Sequence, residues 1–356
     1  MTARNEVCIA RNETFAARND AYLEVIEPGA WSTIQDCGRY GYRAMGVPVC
    51  GAMDPLAAEL ANKITGNKLG DAVLEMTFSG PVLRYHGSDA LVAAIYGVNG
   101  ELSIIDSGSG GTEIDRQTLL SGIPFAWPDG AELSVGAFCV RGSGCRAYLA
   151  IAGGLSVVPV LGSAASDGRS GLGGHDSLGH ILRAGDRIAI GNRCGREEVG
   201  GSEEDGRAAA GVRDAGTEAP VSVYATVSAG DDPVRLHFLS GPEELLFDNK
   251  ALDTFYGQIF TVSQRFDRMG FALEGPAIMA ARHDIISAPV TFGTVQVPAS
   301  GTPYLLLADA QTTGGYPRLA VLISADRPVA AQLWPGRRIL PVRSTLSEAL
   351  QRLQTL

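Results

Sequence analysis

The pattern of apolar and polar positions predicts a chain built mainly of short β-strands. Apolar runs such as Tyr22–Ile26, Val73–Phe78 and Ala90–Tyr96 are each bounded by Gly, Pro or Asp. Runs of this length, repeated at this spacing, are typical of an all-β barrel or sandwich.

A change in composition divides the chain in two. Residues 194–220 are rich in Gly, Ala, Glu and Asp and carry no apolar face at any period, which predicts a flexible linker. The expected organisation is a frayed or disordered leader over 1–20, a β domain over 21–193, the linker, a second β domain over 221–342 and a helical tail over 343–356.

Helical periodicity is confined to short segments. Asp54-Pro55 predicts a helix start, with Asp54 as the N-cap, and the helix should end at Gly66. Asp54 could serve only as this cap, or could also present its other oxygen to a ligand. Further short helices are expected from Pro242 to about Tyr256 and from Ser344 to Gln354, the latter as a packing tail.

Three loops concentrate polar side chains. They cover Gln35 to Asp54, Asp267 to Gly270 and Asp309 to Pro317, and each is flanked by apolar stretches. The third is either a hairpin with an elaborate polar turn or one wall of a ligand cleft, because its groups surround a Gly-Gly pair that lets the backbone approach a ligand.

These loops offer groups suited to a small, planar, polar ligand. The carboxamide of Gln35 or Gln311 matches a ureido or lactam group, donating to its carbonyl and accepting from its N–H. Arg39 or Arg268 could hold a carboxylate through two hydrogen bonds. Glu75 lies in an apolar run, so it should face water, pair with a cation or take part in chemistry.

Familiar catalytic and metal motifs are missing from the sequence. It has no serine elbow, HExxH pair or Walker A lysine, and no CxxC among its six cysteines. His175 and His180 are five residues apart, which favours surface or hydrogen-bonded histidines over a zinc pair. Hydrolysis by a triad is therefore unsupported, and no metal is expected.

The composition of the chain limits the kinds of partner that it is expected to bind. The chain has 356 residues, 45% of them hydrophobic, a net charge of −10 and a pI near 5.1. This acidic balance argues against binding to nucleic acid or to an anionic membrane. No apolar run approaches the roughly 20 residues of a spanning helix, and the scattered cysteines fit free thiols in a reducing compartment. We expect a cytoplasmic protein with a small-molecule or protein partner.

The polar loops also carry a family resemblance. The motifs are Gln35-Asp36-x-Gly38-Arg39-x-Gly41, Gly46-Val47-Pro48-x-x-Gly51-Ala52-Met53-Asp54, Asn62 with Gly66-Asn67, Leu74-Glu75, Asp267-Arg268-Met269-Gly270, Gly293-Thr294-x-Gln296-Val297-Pro298 and Gln311-Thr312-Thr313-Gly314-Gly315-Tyr316-Pro317. In this order they resemble the KipA-like, biotin-dependent carboxyltransferase family. That family includes allophanate hydrolase subunit 2 proteins, the C subunit of bacterial 5-oxoprolinase and the carboxyltransferase domain of urea carboxylase.

The resemblance implies a mainly β fold with two cyclophilin-like β-barrel domains, a few short helices and the active cleft between the domains. Its first functional implication is a subunit, inactive alone, of an ATP-dependent complex that opens 5-oxoproline to glutamate. The partners would be a KipI-like (allophanate hydrolase subunit 1) protein and a LamB/YcsF-like protein. The alternatives are carboxyl transfer to urea or a related amide from carboxybiotin carried by another polypeptide, and KipA-type regulation through a KipI-like kinase inhibitor.

From the resemblance and the loop chemistry together we expect the following site. The candidate catalytic residues are Asp54, Glu75 and Asp267, and the candidate substrate-binding residues are Gln35, Asp36, Arg39, Asn62, Asn67, Arg268, Gln296, Asp309, Gln311, Thr312, Thr313 and Tyr316.

Four residues depart from the family pattern. Cys50 and Phe266 stand where serine is usual, and His180 and Ala272 stand where arginine is usual. Loss of two arginines argues against the usual way of holding an anionic substrate or carboxyl group. It leaves open a diverged paralogue with another lactam or ureido substrate, or with reduced activity.

Overall fold

The computed structural model describes residues 21–97, 102–106, 115–138, 144–191 and 232–355. The predicted leader and linker lie outside the described residues, as do the glycine-rich stretch 107–111 and three of the six cysteines. The proposed domain boundaries therefore remain predictions.

The strands before the linker form two sheets, which we call the first β unit. One sheet has the order β11-β1-β4-β9-β6-β7 and the other β2-β3-β10-β5-β8. The strands are β1 (Tyr22–Glu27), β2 (Trp31–Gln35), β3 (Val73–Thr77), β4 (Val82–His86), β5 (Leu91–Tyr96), β6 (Leu102–Asp106), β7 (Asp115–Leu119), β8 (Phe125–Trp127), β9 (Glu132–Val135), β10 (Arg146–Ile151) and β11 (Arg187–Ala189).

The two sheets of the first β unit share one apolar core. Leu23 and Leu83 from one sheet pack with Leu74 and Ile95 from the other. Alternation along β1 and β4 directs every second side chain into this core. The chain between β2 and β3 carries a 3-10 turn (Arg43–Met45) and helix α1 (Pro55–Thr65).

Helix α1 begins and ends as its sequence predicts. The side chain of Asp54 accepts from the backbone N–H of Ala57, and Pro55 occupies the first turn. Gly66 terminates the helix in the left-handed conformation. Its alanines pack on β5 and β10, so α1 covers one face of the five-stranded sheet.

The strands after the linker form a closed barrel, which we call the second β unit. Its order is β12-β19-β16-β17-β14-β13-β20, and β12 pairs in parallel with β20. Its elements, with a separate two-stranded ribbon of β15 and β18, are β12 (Val234–Ser240), a 3-10 turn (Glu244–Leu246), α2 (Asn249–Gly257), β13 (Phe260–Asp267), β14 (Gly270–Glu274), β15 (Ala288–Pro289), β16 (Thr294–Gln296), β17 (Tyr304–Leu306), β18 (Thr313–Gly314), β19 (Arg318–Leu322), a 3-10 turn (Ser324–Asp326), α3 (Arg327–Ala331), β20 (Arg338–Arg343) and α4 (Leu346–Gln354).

The barrel core is aromatic where α2 meets it. Phe255 of α2 lies with its ring centroid 5.7 Å from that of Phe238 and 5.8 Å from that of Phe260. The predicted fold class, mainly β with barrel-like domains and a few short helices, is confirmed.

The structure excludes one of two open alternatives and corrects two local expectations. The segment from Asp309 to Pro317 is not a hairpin turn, because β17 and β19 do not pair with each other and both pair with β16. The helix expected from Pro242 is divided into a 3-10 turn and α2, which Asp248 caps. The apolar face of α4 does not pack inward, since its leucines remain at least 46% exposed.

Candidate functional site

Arg268, at the turn between β13 and β14, reaches from the second β unit into the first. Its Nε and Nη2 donate to the two carboxylate oxygens of Asp309 at 2.8 and 2.9 Å. Nη2 also donates to the backbone oxygen of Gly51 at 2.6 Å, and Nη1 donates to Glu75. The guanidinium is buried and committed to four contacts. It therefore joins the two units, and it also forms part of the wall of the inter-unit pocket described below.

Glu75 is the buried acceptor on the opposite side of this contact. Its second oxygen accepts from the backbone N–H of Met53 at 2.8 Å and from the hydroxyl of Tyr148 at 2.9 Å. Burial raises the pKa of Glu75, but Arg268, Arg146 and the Met53 N–H outweigh it and hold that pKa below its usual value. Glu75 is thus an ionised carboxylate whose two oxygens both have partners. The sequence left three possibilities for it, namely facing water, pairing with a cation or taking part in chemistry, and the structure shows that it pairs with a cation.

Asp54 is also buried and engaged. One oxygen caps α1, and the other accepts from the carboxamide of Gln332 in the second β unit at 3.3 Å. Its backbone N–H donates to Tyr148 at 2.8 Å. Burial and the nearby Glu75 and Asp54 charges raise the pKa of Tyr148 well above its usual value, so it stays a neutral donor.

Asp267 differs from the other two candidate carboxylates because it is exposed. One of its oxygens accepts from the backbone N–H groups of Met269 at 2.8 Å and Gly270 at 3.2 Å. The side chain lines both cavities described next. Of the three, it is the one placed to meet a ligand.

The first cavity, the barrel groove, has a volume of about 690 Å³ and is lined by the second β unit. Its carboxamides are linked, since Gln311 donates to Oε1 of Gln296 at 3.2 Å. Gln296 in turn lies 3.4 Å from the backbone oxygen of Tyr316. A Cβ on Gly314 would lie 2.3 Å from Nε2 of Gln296, so glycine is required there for the amide to sit in place. Phe266, Met269, Tyr304, Leu306 and the half-exposed Tyr316 provide flat and apolar walls.

The second cavity, the inter-unit pocket, has a volume of about 360 Å³ and is lined by both units. The first β unit contributes Trp31, Thr33, Ser166, Asp167, Gly168, Arg169, Gly179, His180 and Ile181, and the second contributes Asp267, Arg268, Met269 and Asp309. Asp267 and Met269 line both cavities. The tip of the β13–β14 hairpin therefore stands between the groove and the pocket.

The Gln35–Asp54 loop reaches the Asp309–Pro317 segment through residues that the sequence did not single out for binding. Arg43 donates to the backbone oxygens of Val290 and Thr312, the latter at 3.1 Å. Cys50 interacts with the side chain of Asp309, and burial with this neighbouring charge raises the pKa of the thiol. The two loops are in contact, as expected of neighbouring walls of a cleft.

Gln35 and Arg39 are buried in the first β unit, and Asp36 is partly buried there. Asp36 accepts from the N–H of Ala164 at 2.6 Å, and Arg39 donates to the backbone oxygens of Val160 and Ala165 at 2.9 and 2.8 Å. Gln35 donates to the hydroxyl of Thr33, which lines the inter-unit pocket. These contacts support the walls of the pocket rather than lining it.

Asn62 and Asn67 organise the chain after α1. Asn62 donates to the backbone oxygen of Asp71 at 2.8 Å, while Asn67 donates to that of Ile151 at 2.7 Å and accepts from Gly153 at 3.0 Å. Neither lines either cavity. Thr312 and Thr313 also lie outside both linings, with Thr313 in the β15–β18 ribbon.

Three buried groups were missed by the sequence reasoning. Tyr148 joins Glu75 to Asp54, Arg146 lies 4.0 Å from Glu75, and Gln332 spans the two units. Tyr148 and Arg146 lie within a fully buried strand, and no local motif marks them. The one sequence feature that could have identified them is a polar side chain within an apolar run.

The side chains of the described residues indicate which chemistry the two cavities can support. Among the described residues, no group of three or more His, Cys, Asp or Glu is placed to hold a metal ion. Within the same part of the chain, no helix has the length and apolar character needed to cross a membrane. The cavities offer amide, phenol, carboxylate, guanidinium and imidazole groups beside flat apolar walls, a set suited to binding a planar amide and moving its protons.

Comparison with known proteins gives one consistent family. The model of the carboxyltransferase domain, subdomain A and B, matches residues 45–340. The 5-oxoprolinase C subunit of Escherichia coli strain K12 is 32% identical over 333 residues, covering 93% of this chain and 94% of that protein. The urea amidolyase of Lachancea kluyveri is 27% identical over 350 residues, which are 93% of this chain but 17% of that protein.

Solved structures agree. The crystal structure of the Kluyveromyces lactis urea amidolyase superposes with a TM-score of 0.76 at 28% identity, covering 93% of this chain and 19% of that one. The chain thus spans nearly all of the 5-oxoprolinase C subunit and about a fifth of the urea amidolyases. Another solved structure, at 31% identity, is covered over 56% of its length.

Proposed function

Since this chain belongs to the carboxyltransferase domain family, we propose that it is the part of a 5-oxoprolinase-type enzyme that binds the cyclic amide. The similarity to the 5-oxoprolinase C subunit over nearly the full length of both chains supports this choice. The overall reaction adds water across the lactam C–N bond of 5-oxoproline and gives glutamate, driven by ATP hydrolysis.

One observation carries the proposal for the substrate site: two carboxamides face a flat-walled groove beside an exposed carboxylate. Gln311 donates one N–H to Gln296, and its Oε1 receives no hydrogen bond from the described residues. Its carboxamide can therefore accept from a lactam N–H while its remaining N–H donates to the lactam oxygen. Such a donor would also stabilise negative charge that develops on that oxygen.

The walls match the shape of a five-membered ring. Phe266 and Phe271 stack with their ring centroids 5.6 Å apart, and the guanidinium of Arg146 lies 5.0 Å from the Phe266 ring. Phe266 is thereby held in place at the edge of the groove. A rigid aromatic wall orients a planar ring by apolar contact, without a charged side chain next to the ring.

The buried network behind the groove positions these groups. Arg268 fixes the β13–β14 hairpin against Glu75 and Asp309, and the hairpin carries Asp267 and Met269. We assign Arg268, Glu75 and Asp54 to this positioning role. Asp267 remains the proposed proton carrier, because its exposed side chain lines both cavities.

The groove does not fit a nucleoside triphosphate. Arg265 is the one cationic side chain among the described residues that line it, and Asp267 adds a negative charge. Triphosphates are held by several cations or by a cradle of backbone N–H groups. We therefore assign ATP binding to KipI-like and LamB/YcsF-like partner proteins or to a surface shared with them.

The experiment is ATP-dependent glutamate formation from 5-oxoproline by the co-expressed complex. Gln311→Ala is expected to lower kcat/KM by about 10-fold to 10²-fold, the loss of one or two hydrogen bonds to substrate. Gln258→Ala removes an exposed carboxamide at the end of α2 and should leave the rate unchanged. If Gln311→Ala has wild-type kcat/KM, the groove is not the substrate site.

Biotin-dependent carboxyl transfer is the second candidate, because the family is named for carboxyl transfer and the urea amidolyase similarity covers the whole matched region. The groove fits the ureido ring of biotin as it fits a lactam, with Gln296, Gln311 and Phe266 as the holding residues. A carboxylated biotin on another polypeptide would supply the carboxyl group. Avidin-sensitive transfer of labelled carboxylate to urea, without 5-oxoproline cleavage, would favour this candidate.

A further inference from the structure

His180 lines the inter-unit pocket with one ring nitrogen already engaged. Its Nδ1 lies 2.5 Å from Oδ2 of Asp176, whereas Nε2 has no hydrogen-bond partner among the described residues. The side chain is 44% exposed. An imidazole oriented by a carboxylate through one nitrogen, with the other open to a cavity, has the arrangement of a general base.

The loop that carries this pair is held rigidly. Asp176 accepts from the backbone N–H of Leu178 at 2.9 Å, and Gly179 donates to the backbone oxygen of Gly173 at 2.7 Å. A Cβ at Gly179 would lie 2.3 Å from the backbone oxygen of Asp167, so only glycine allows the chain to pass there. His180 therefore enters the pocket from a fixed backbone position.

Asp176 is charged over the working range of pH. Burial raises its pKa, but the Leu178 N–H, the hydrogen bond with His180 and the nearby His175 outweigh that effect and lower it. A charged Asp176 keeps the proton of neutral His180 on Nδ1, which leaves the Nε2 lone pair directed away from the pair.

Several other charged groups face the same pocket from both units. Arg268 lines it and is paired with Asp309, while His175, which is not part of the lining, lies beside Asp176 and pairs with Asp186 at 3.0 Å. The remaining charged lining residues are Asp167, Arg169 and Asp267. Outside the Arg268–Asp309 pair the lining holds two carboxylates and one cation, so it offers acceptors for the N–H groups of a ligand.

We propose that His180, oriented by Asp176, is a proton acceptor for an N–H or water O–H of a lactam or ureido ligand bound across the inter-unit pocket. The step rests on the proposed function for the class of ligand, and it concerns the side of the hairpin tip that faces the inter-unit pocket instead of the barrel groove. The ligand N–H or water O–H bond breaks, its electron pair stays on that nitrogen or oxygen, and a new Nε2–H bond forms. The imidazolium is stabilised by Asp176, and the proton returns to the leaving nitrogen.

The test uses the co-expressed complex and pH profiles of kcat and KM. His180→Gln should lower kcat by about 10²-fold to 10⁴-fold with a smaller change in KM, and should abolish the fall of kcat on the acid side. Imidazole should partly restore the rate of His180→Ala. Asp176→Asn should keep the fold and lose part of the rate.

The matched control is His86→Gln. His86 pairs with Glu24 at 2.9 Å, a comparable histidine–carboxylate pair, and lines neither cavity. It should keep the wild-type profile. A wild-type kcat and pH profile for His180→Gln, or a loss of rate in His180→Ala that imidazole does not restore, overturns the proposal.

A second readout separates this inference from the proposed function. If the wild-type complex does not cleave 5-oxoproline, the proposed function fails, and His180 is then judged by NMR of the histidine ring signals. Addition of 2-imidazolidinone, a bare ureido ring, should move the His180 signals and leave those of His86 in place. Unmoved His180 signals at saturating probe overturn the inference by themselves.

Discussion

Arg268 joins the two β units through buried charge. It contacts Glu75 and the Gly51 carbonyl in the first unit and Asp309 in the second. A buried guanidinium of this kind fixes geometry, because its planar donors match two carboxylates in one orientation only.

Removal of the Arg268 side chain should destabilise the contact between the two β units. Arg268→Ala leaves Glu75 and Asp309 buried without their main cation, so we expect a loss of about 3–5 kcal/mol in the free energy of unfolding. Arg265→Ala removes an exposed arginine from the same hairpin and should change stability by less than about 0.5 kcal/mol. Urea unfolding of both variants measures the difference, and equal midpoints would refute the bridging role.

The lowered pKa of Glu75 gives a pH test. Its folded pKa lies below the usual 4.5, so its contribution to stability is fully present above about pH 4.5 and is lost as pH falls through the folded value. Glu75→Gln should be less stable than wild type at pH 7, and the gap should narrow in acid. Glu274→Gln, an exposed change on β14, serves as the control. A gap that stays constant from neutral pH into acid would contradict the assignment.

At the scale of elements, the β13–β14 hairpin carries the chemistry proposed for the cleft. Asp267 holds its turn through two backbone N–H groups, and the hairpin tip separates the barrel groove from the inter-unit pocket. The Asp267 side chain therefore holds the turn and is also the proposed proton carrier.

Two substitutions at Asp267 separate these roles. Asp267→Asn retains an oxygen acceptor for the turn and should stay within about 0.5 kcal/mol of wild type, whereas Asp267→Ala should lose about 1 kcal/mol. If Asp267 carries protons, Asp267→Asn should still lower kcat by at least about 10²-fold. Wild-type turnover by a stable Asp267→Asn variant would reduce Asp267 to a turn residue.

Local signals predict some elements well and others poorly. The Asp54-Pro55 start and the Gly66 end of α1 follow from interactions within one helix turn, so the sequence contains them. For the Asp309–Pro317 segment the sequence does not decide between a hairpin and a cleft wall, because pairing of β17 and β19 with β16 depends on residues far along the chain. The same limit explains Arg39 and Asn62: their residue types suit ligands, and only the tertiary structure reveals backbone oxygens already in place.

At the scale of the whole molecule, a second contact joins the units at Gln332. Its Oε1 accepts from the backbone N–H groups of Cys145 and Arg146 at 3.1 and 2.9 Å. Its Nε2 donates to the Arg146 oxygen at 3.0 Å and to Asp54 at 3.3 Å. All four hydrogen-bonding positions of the carboxamide are used, which specifies how the units meet.

Gln332→Ala should destabilise both units together. It leaves buried backbone groups without hydrogen-bond partners, at a cost of about 1–3 kcal/mol for each such group. We therefore expect a loss of at least about 2 kcal/mol in the free energy of unfolding. Fluorescence and circular dichroism should still report one shared transition. The exposed Gln258→Ala is the matched control, and an unchanged midpoint for Gln332→Ala would show that this contact does not hold the units.

The central claim is that a cyclic amide binds in the barrel groove, beside the tip of the β13–β14 hairpin. A crystal structure of the co-expressed, catalytically competent complex with 5-oxoproline measures this most directly. We predict the ring in the barrel groove, with its amide group within about 3.2 Å of the Gln311 carboxamide and next to Asp267. A ring bound away from Gln311 and Asp267, in a crystal of the catalytically competent complex, would contradict the account.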